Sequence, residues 1–323
     1  MAHAAVSQTP QGSVAPPAPR PTLVAPSGIR RFPAAPIPVP PVRGRPDLWS
    51  IPVYWHLLSL DAPTVAVLWA WSFGHVAHVR SSPSAVAILG IGTWLIYIAD
   101  RLLDGRPGAP PRPLRERHRF HARHARALLI AAAAAGIPLL WLIVDRMSPG
   151  ARREDTILFI ASLVYFVVVH RPAAVPRRWF RREFAVGVVF ASATAVPAWS
   201  QPGAHRGTLA LVTLLFAALC CLNCFAIEEW EQAAFSPGFS VHPRRVPVSA
   251  VALAVAAAAA ALAIDTRGPV TVAALLSALL LFALDRLHVR TPRHAARATA
   301  LALRIAADAV LLTPLLLVPR WHV

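Results

Sequence analysis

The chain has 323 residues, 56% of them hydrophobic and 15% charged, and a formal net charge of +17. All 32 basic residues are Arg, and they cluster between apolar runs of about 17 to 22 residues, the length that crosses a bilayer. Basic charge arranged in this way reports membrane topology and argues against a nucleic-acid partner, while Cys220, Cys221 and Cys224 share one apolar run, cannot frame loop-closing disulfides, and read as small core residues.

Residues 1–48 are rich in Pro, Ala, Val and Arg without a helical or alternating period, so a disordered cytoplasmic tail is expected there. No short apolar stretch with a small-residue cleavage site follows the start, which argues against a cleaved secretory signal. From residue 49 to 323 apolar runs recur near 53–75, 84–104, 126–145, 155–170, 182–200, 208–227, 248–264, 269–285 and 297–318. The expected fold is therefore all-α, a polytopic membrane protein with nine transmembrane helices. With the tail inside, 24 of the 32 arginines fall on the cytoplasmic side, 7 on the other, and Arg304 within a helix. This asymmetry places the N-terminus in the cytoplasm and the C-terminus across the membrane. The expected location is a bacterial inner membrane, with membrane lipid as surroundings.

Two of these runs close on acids. Tyr97-Ile98-Ala99-Asp100-Arg101-Leu102-Leu103-Asp104 ends the second run, and Asp100 and Asp104, four apart, stack on one helix face where both can address one cation or proton path. Asn223-Cys224-Phe225-Ala226-Ile227-Glu228-Glu229-Trp230-Glu231 ends the sixth. There Asn223, Cys224, Ile227, Glu228 and Glu231 share a sector of about 140° and Glu229 points away. Both runs head toward the cytoplasm, so the two acidic ends are expected on one membrane face.

Nine helices with acidic motifs ending the second and sixth resemble the UbiA superfamily of intramembrane prenyltransferases, over about residues 50 to 320. Leu57 through Thr64, with Asp61 two residues before Pro63, resembles the family's opening segment. Tyr165 through His170-Arg171 is similar to its Tyr followed by a basic pair. The resemblance implies Mg²⁺-dependent transfer of a prenyl group from an isoprenyl diphosphate to an aromatic or other lipophilic acceptor. It also implies that Asp100, Asp104, Asn223, Glu228 and Glu231 act as catalytic metal ligands. Asp100 and Asp104 match the last two aspartates of the first family motif, while Ile96 and Tyr97 stand where Asn and Asp are expected. Asn223 and Glu231 match the ends of the second motif's frame, with Cys224 and Ile227 in place of its middle acids. Arg101 and Arg171 are candidates for phosphate contact, because guanidinium forks suit phosphate oxygens. Tyr97, Arg304 and Asp308 complete the candidate substrate-binding set, and Trp69, Trp71, Trp94 and Phe190 the candidate apolar lining.

Other readings compete at several of these positions. Arg304 and Asp308, four apart in the ninth run, read equally as an ion pair inside the bundle. The spaced histidines His118, His121 and His124 lie among arginines, which disfavours a cation and favours a basic segment on anionic lipid. Ala131–Ala135 and Ala256–Ala261 read as small-residue stretches for close helix approach. Asp100 through Arg106 superficially resembles the CDP-alcohol phosphotransferase motif, but its acids are four apart instead of three and no Ala-Arg pair follows. The remaining alternative is a non-catalytic protein of the same fold that binds a quinone or an isoprenoid lipid.

Overall fold

The computed structural model describes residues 50–104, 116–170, 182–235, 247–266, 268–291 and 296–322. These fold into α1 (Ser50–Leu57), α2 (Asp61–Val76), α3 (Pro83–Asp104), α4 (Glu116–Arg123), α5 (Ala125–Arg146) and α6 (Pro149–His170). There follow α7 (Arg182–Trp199), α8 (Arg206–Phe235), α9 (Val248–Thr266), α10 (Pro269–Arg290), α11 (Ala296–Ala309) and a terminal 3₁₀ helix (Val310–His322). No strand occurs among the described residues, and the expected tail, residues 1–48, lies outside them.

Every expected apolar run coincides with helix, but the first is broken. α1 and α2 meet at 89°. Ser59 adopts the left-handed conformation (φ 55°), Leu60 N–H donates to the Trp55 carbonyl at 2.9 Å, and Ser59 N–H to that of His56 at 3.1 Å. This paired 6→1 and 5→2 closure is a Schellman cap, which ends α1 at Leu57 with the left-handed Ser59 two residues beyond. Pro63 in the first turn of α2, which has no N–H to give, tolerates only a fresh helix start there.

Four helices are long and apolar enough to cross a membrane: Pro83–Asp104, Ala125–Arg146, Arg206–Gln232 and Pro269–Arg290. A fifth span results if bent α1 and α2 count as one. The chain is thus a helical membrane protein by length and composition. α5 and α6 expose Ile130, Ile137, Leu140, Trp141, Ile157, Phe159 and Val164, an apolar surface that suits lipid and not water.

α2 is the hub, packing against α3, α7, α8, α10, α11 and the terminal 3₁₀ helix. Its buried Trp69 stacks on Phe216 with ring centroids 4.2 Å apart and donates Nε1–H to the Leu311 carbonyl at 2.8 Å. That bond ties α8 and the chain's last helix to one indole. α9 packs on α10, and Ala252, Ala256 and Ala259 of the one and Ala273, Ala274 and Ala278 of the other are buried, so in the alanine stretch at 256–261 the buried Ala256 and Ala259 suit close approach while Ala257, Ala258 and Ala261 are exposed. The other stretch does not: Ala131, Ala133 and Ala134 are exposed on α5. α7 crosses α8 at Gly187, where an added Cβ would lie 2.5 Å from Cys221 Sγ and 2.8 Å from its backbone nitrogen. Only glycine permits that separation.

Candidate functional site

Because successive long helices run in opposite directions, the start of α2, the end of α3, the end of α6, the start of α7, the end of α8 and the start of α11 fall at one end of the bundle. The polar side chains collect there. Asp100 and Asp104 project from the last turns of α3, one turn apart. Asp100, 9% exposed, accepts Arg101 Nη1 at 2.9 Å and, through both its oxygens, Arg182 Nη2 at 2.9 and 3.1 Å. Arg182 also donates Nε–H to the Tyr165 hydroxyl at 2.8 Å and stands 3.6 Å from Asp104, whose Oδ2 lies 3.3 Å from His118 Nε2. The first acidic end is therefore enclosed by guanidinium and imidazole groups from α3, α4 and α7. A charge as deeply buried as Asp100 requires such partners.

On the second acidic end, Asn223, Ile227 and Glu231 of the expected sector are buried, Cys224 and Glu228 are half-buried, and Asn223 and Glu231 meet α11. Arg304 Nη1 donates to Glu231 Oε1. Asn223 Nδ2 donates to Asp308 Oδ1 at 3.3 Å. Eight residues separate the two α8 groups, about 12 Å of rise, against four residues, about 6 Å, on α11; the long Arg304 side chain spans the difference. Arg304 and Asp308, read from sequence as an intrahelical pair, each reach across to another helix. Glu228 instead accepts Gln232 Nε2 at 2.8 Å at the more exposed rim.

Deeper than the charged mouth lies a second polar layer. The α1–α2 bend turns buried His56 back on Asp61, with Nδ1 2.9 Å from Asp61 Oδ2 and 3.4 Å from Asp308 Oδ2. Tyr97, two turns inward from Asp104, lies within electrostatic reach of Asp61, Asp308 and Cys224, and Arg101 covers its ring at 5.6 Å. Below it runs an aromatic column: Tyr97 to Phe190 (6.4 Å between centroids), Phe190 to Phe216 (6.0 Å) and Phe216 to Trp69. Of the expected lining residues, Phe190 and Trp69 are in this column. Trp94 instead anchors the α1–α2 turn by donating to the Leu58 carbonyl at 3.0 Å, and Trp71 packs on His75.

α4 is the largest departure from the sequence reading. Its histidines do not all face lipid: His118 is buried against Asp104, and His121, with no exposed surface, donates Nδ1–H to the Arg117 carbonyl at 2.8 Å and presents Nε2 to Ser59 Oγ at 3.4 Å. Burial, reinforced by the Arg101 charge, pushes the His121 pKa down to about 4, so it is neutral at physiological pH. His124 stays at the surface as expected.

The structure thus joins Tyr97, Asp100, Arg101 and Asp104 in one group and Asn223, Glu231, Arg304 and Asp308 in another, while Arg171 lies outside the described residues. Sequence reasoning assigned no role at this site to His56, His118 or Arg182. His56 and Asp61 straddle a turn that reads as continuous helix, and Arg182 resembles any other arginine of a basic loop. Compared with known proteins, the chain matches no family model, no curated protein and no solved structure.

Proposed function

We propose that the chain transfers a prenyl group from an isoprenyl diphosphate to a lipophilic acceptor, aromatic or otherwise, within the membrane, and that the transfer requires Mg²⁺. What supports this reading is that two charged groups stand at one end of the bundle, Asp100 and Asp104 with Arg101 and Arg182, and Glu231 with Arg304, and that an aromatic column starts at Tyr97. Carboxylates alone would repel a diphosphate, and arginines alone would not hold a cation. Together they suit a diphosphate bridged by a divalent ion.

The donor set fits Mg²⁺, since Asp100, Asp104 and Glu231 offer only oxygen, with Glu228 at the rim. When bound, the ion supplies neutralisation of the charge that gathers on the departing diphosphate. Arg101, Arg182 and Arg304 exchange their carboxylate bonds for phosphate oxygens, which keeps every buried charge paired when substrate enters. Tyr97, Phe190 and Phe216 line the path of the prenyl chain, and their π faces stabilise an allylic cation where water is excluded. In this reading nine helices cross a bacterial inner membrane with the N-terminus in the cytoplasm, and the mouth opens on the cytoplasmic face.

A second reading, non-catalytic binding of a quinone or isoprenoid lipid, is favoured by Ile96 and Tyr97 at two positions where the related motif carries Asn and Asp. One experiment separates the two. Purified protein is given Mg²⁺, a panel of isoprenyl diphosphates and aromatic acceptors, and diphosphate release is measured. Transfer predicts release that Asp104→Ala abolishes. Binding of the isoprenoid without any release supports the second reading, and neither binding nor release would sink both.

A further inference from the structure

The layer beneath the charged mouth gathers two carboxylates around one imidazole nitrogen. His56 Nδ1 faces two carboxylate oxygens, Asp61 Oδ2 at 2.9 Å and Asp308 Oδ2 at 3.4 Å, and a ring nitrogen carries at most one proton. The three ligand atoms lie within 4.8 Å of one another, and among the described residues no other three His, Cys, Asp or Glu side chains come together this closely. Bonds of about 2.0–2.2 Å to a common ion place neighbouring ligand atoms about 3.0–3.4 Å apart, the separations found on either side of His56.

A second observation points the same way. Asn223 is 5% exposed and gives its amide N–H to Asp308, which fixes the amide's orientation; its carbonyl oxygen, on the same amide, is buried without a hydrogen-bond partner. A buried acceptor left unmatched on an amide that is bonded to the Asp308 carboxylate is costly unless a cation or donor is present. Arg304 on α11 bonds Glu231 and acts on Asp308 and His56 only as a nearby charge, so it does not supply the Asn223 carbonyl with a donor.

We propose that His56, Asp61 and Asp308, with the carbonyl of Asn223, bind one divalent transition-metal ion of the Zn²⁺ or Mn²⁺ class. One imidazole nitrogen with three oxygens favours these ions over Mg²⁺ and Ca²⁺, which take oxygen ligands. Two carboxylates balance the ion's two charges. The ion ties α1, α2, α8 and α11 together and holds the 89° bend that begins α2. This site is separate from the Mg²⁺ ligands proposed at the mouth and stands whether or not the chain transfers prenyl groups.

The test uses the full chain in detergent, stripped with a chelator and titrated with Zn²⁺ and, separately, Mn²⁺, each in a large excess of Mg²⁺ that keeps the mouth occupied. Wild type should bind one ion per chain, and bound Zn²⁺ should show an X-ray absorption shell of nitrogen and oxygen without sulfur. His56→Ala and Asp308→Asn should weaken binding roughly 100-fold or more, and near-isosteric Asp61→Asn at least about tenfold. Asp145→Asn, at the exposed end of α5, should leave it unchanged. Only weak binding beyond one equivalent, an adventitious ion, overturns the proposal. So does a sulfur ligand from the cysteines of α8, or binding lost in Asp100→Asn and kept in His56→Ala. Should His56→Ala fail to fold, the wild-type stoichiometry and absorption shell with Asp61→Asn still decide.

Discussion

Gly187→Ala tests the α7–α8 crossing, which sets how Arg182 on one helix stands relative to Asn223 and Glu231 on the other. The added Cβ would lie 2.5 Å from Cys221 Sγ, 2.8 Å from its backbone nitrogen and 3.1 Å from its Cα, where ordinary contact begins at 3.4 Å. Sulfur can rotate away, but the backbone cannot, so the helices must part by about 0.6 Å. Overpacking of this kind costs about 1–3 kcal/mol, and alanine returns up to about 1 kcal/mol of helix propensity. The expected net loss is about 1–2 kcal/mol, a fall in melting temperature of roughly 2–8 °C followed by tryptophan fluorescence in detergent. Gly92→Ala and Gly136→Ala, whose added Cβ atoms would meet nothing within 4 Å, should leave the melting temperature unchanged or raise it. Cys221→Ala in the Gly187→Ala background should recover only the share due to sulfur. If Gly187→Ala melts like Gly92→Ala, the close crossing is refuted.

Glu231→Gln and Arg304→Met should each cost about 3–5 kcal/mol, because each removes one member of a buried ion pair, while the double substitution should cost well under their sum; additive losses in the thermal or denaturant unfolding of all three would argue against the pair. The neutral state of His121 makes stability depend on acid. Its folded pKa of about 4 lies below the ordinary 6.5, so between these values the unfolded chain binds the extra proton, and stability present above about pH 6.5 is lost progressively toward pH 4. His121→Gln should flatten that part of a pH-melting profile, and an unchanged profile would contradict its burial. A cysteine placed between residues 201 and 206 should react with a membrane-impermeant thiol reagent from outside intact cells, and one in the α4 segment should react only after lysis; the reverse pattern would invert the topology.

The sequence by itself determined the helical character and, to within about two residues, the bounds of α3, α5, α7 and α9, because apolar runs of bilayer length punctuated by Pro and Arg allow little else. It also determined that Asn223, Ile227 and Glu231 share the buried face of α8, since spacing along a helix is a local property. Helix direction brought the acidic ends to the same end of the bundle. What local spacing cannot contain is which group meets which across helices. Arg304 and Asp308 read as partners at i, i+4, yet packing of α11 against α8 and α1 offered each a partner on another element. The histidines of α4 read as surface residues because their neighbours in sequence are arginines, but two of them turn inward to Asp104 and Ser59. Only the tertiary fold placed His56 against Asp61 and Asp308. That meeting depends on a left-handed serine, an 89° bend and a helix more than 240 residues away, and no periodicity in the chain records it.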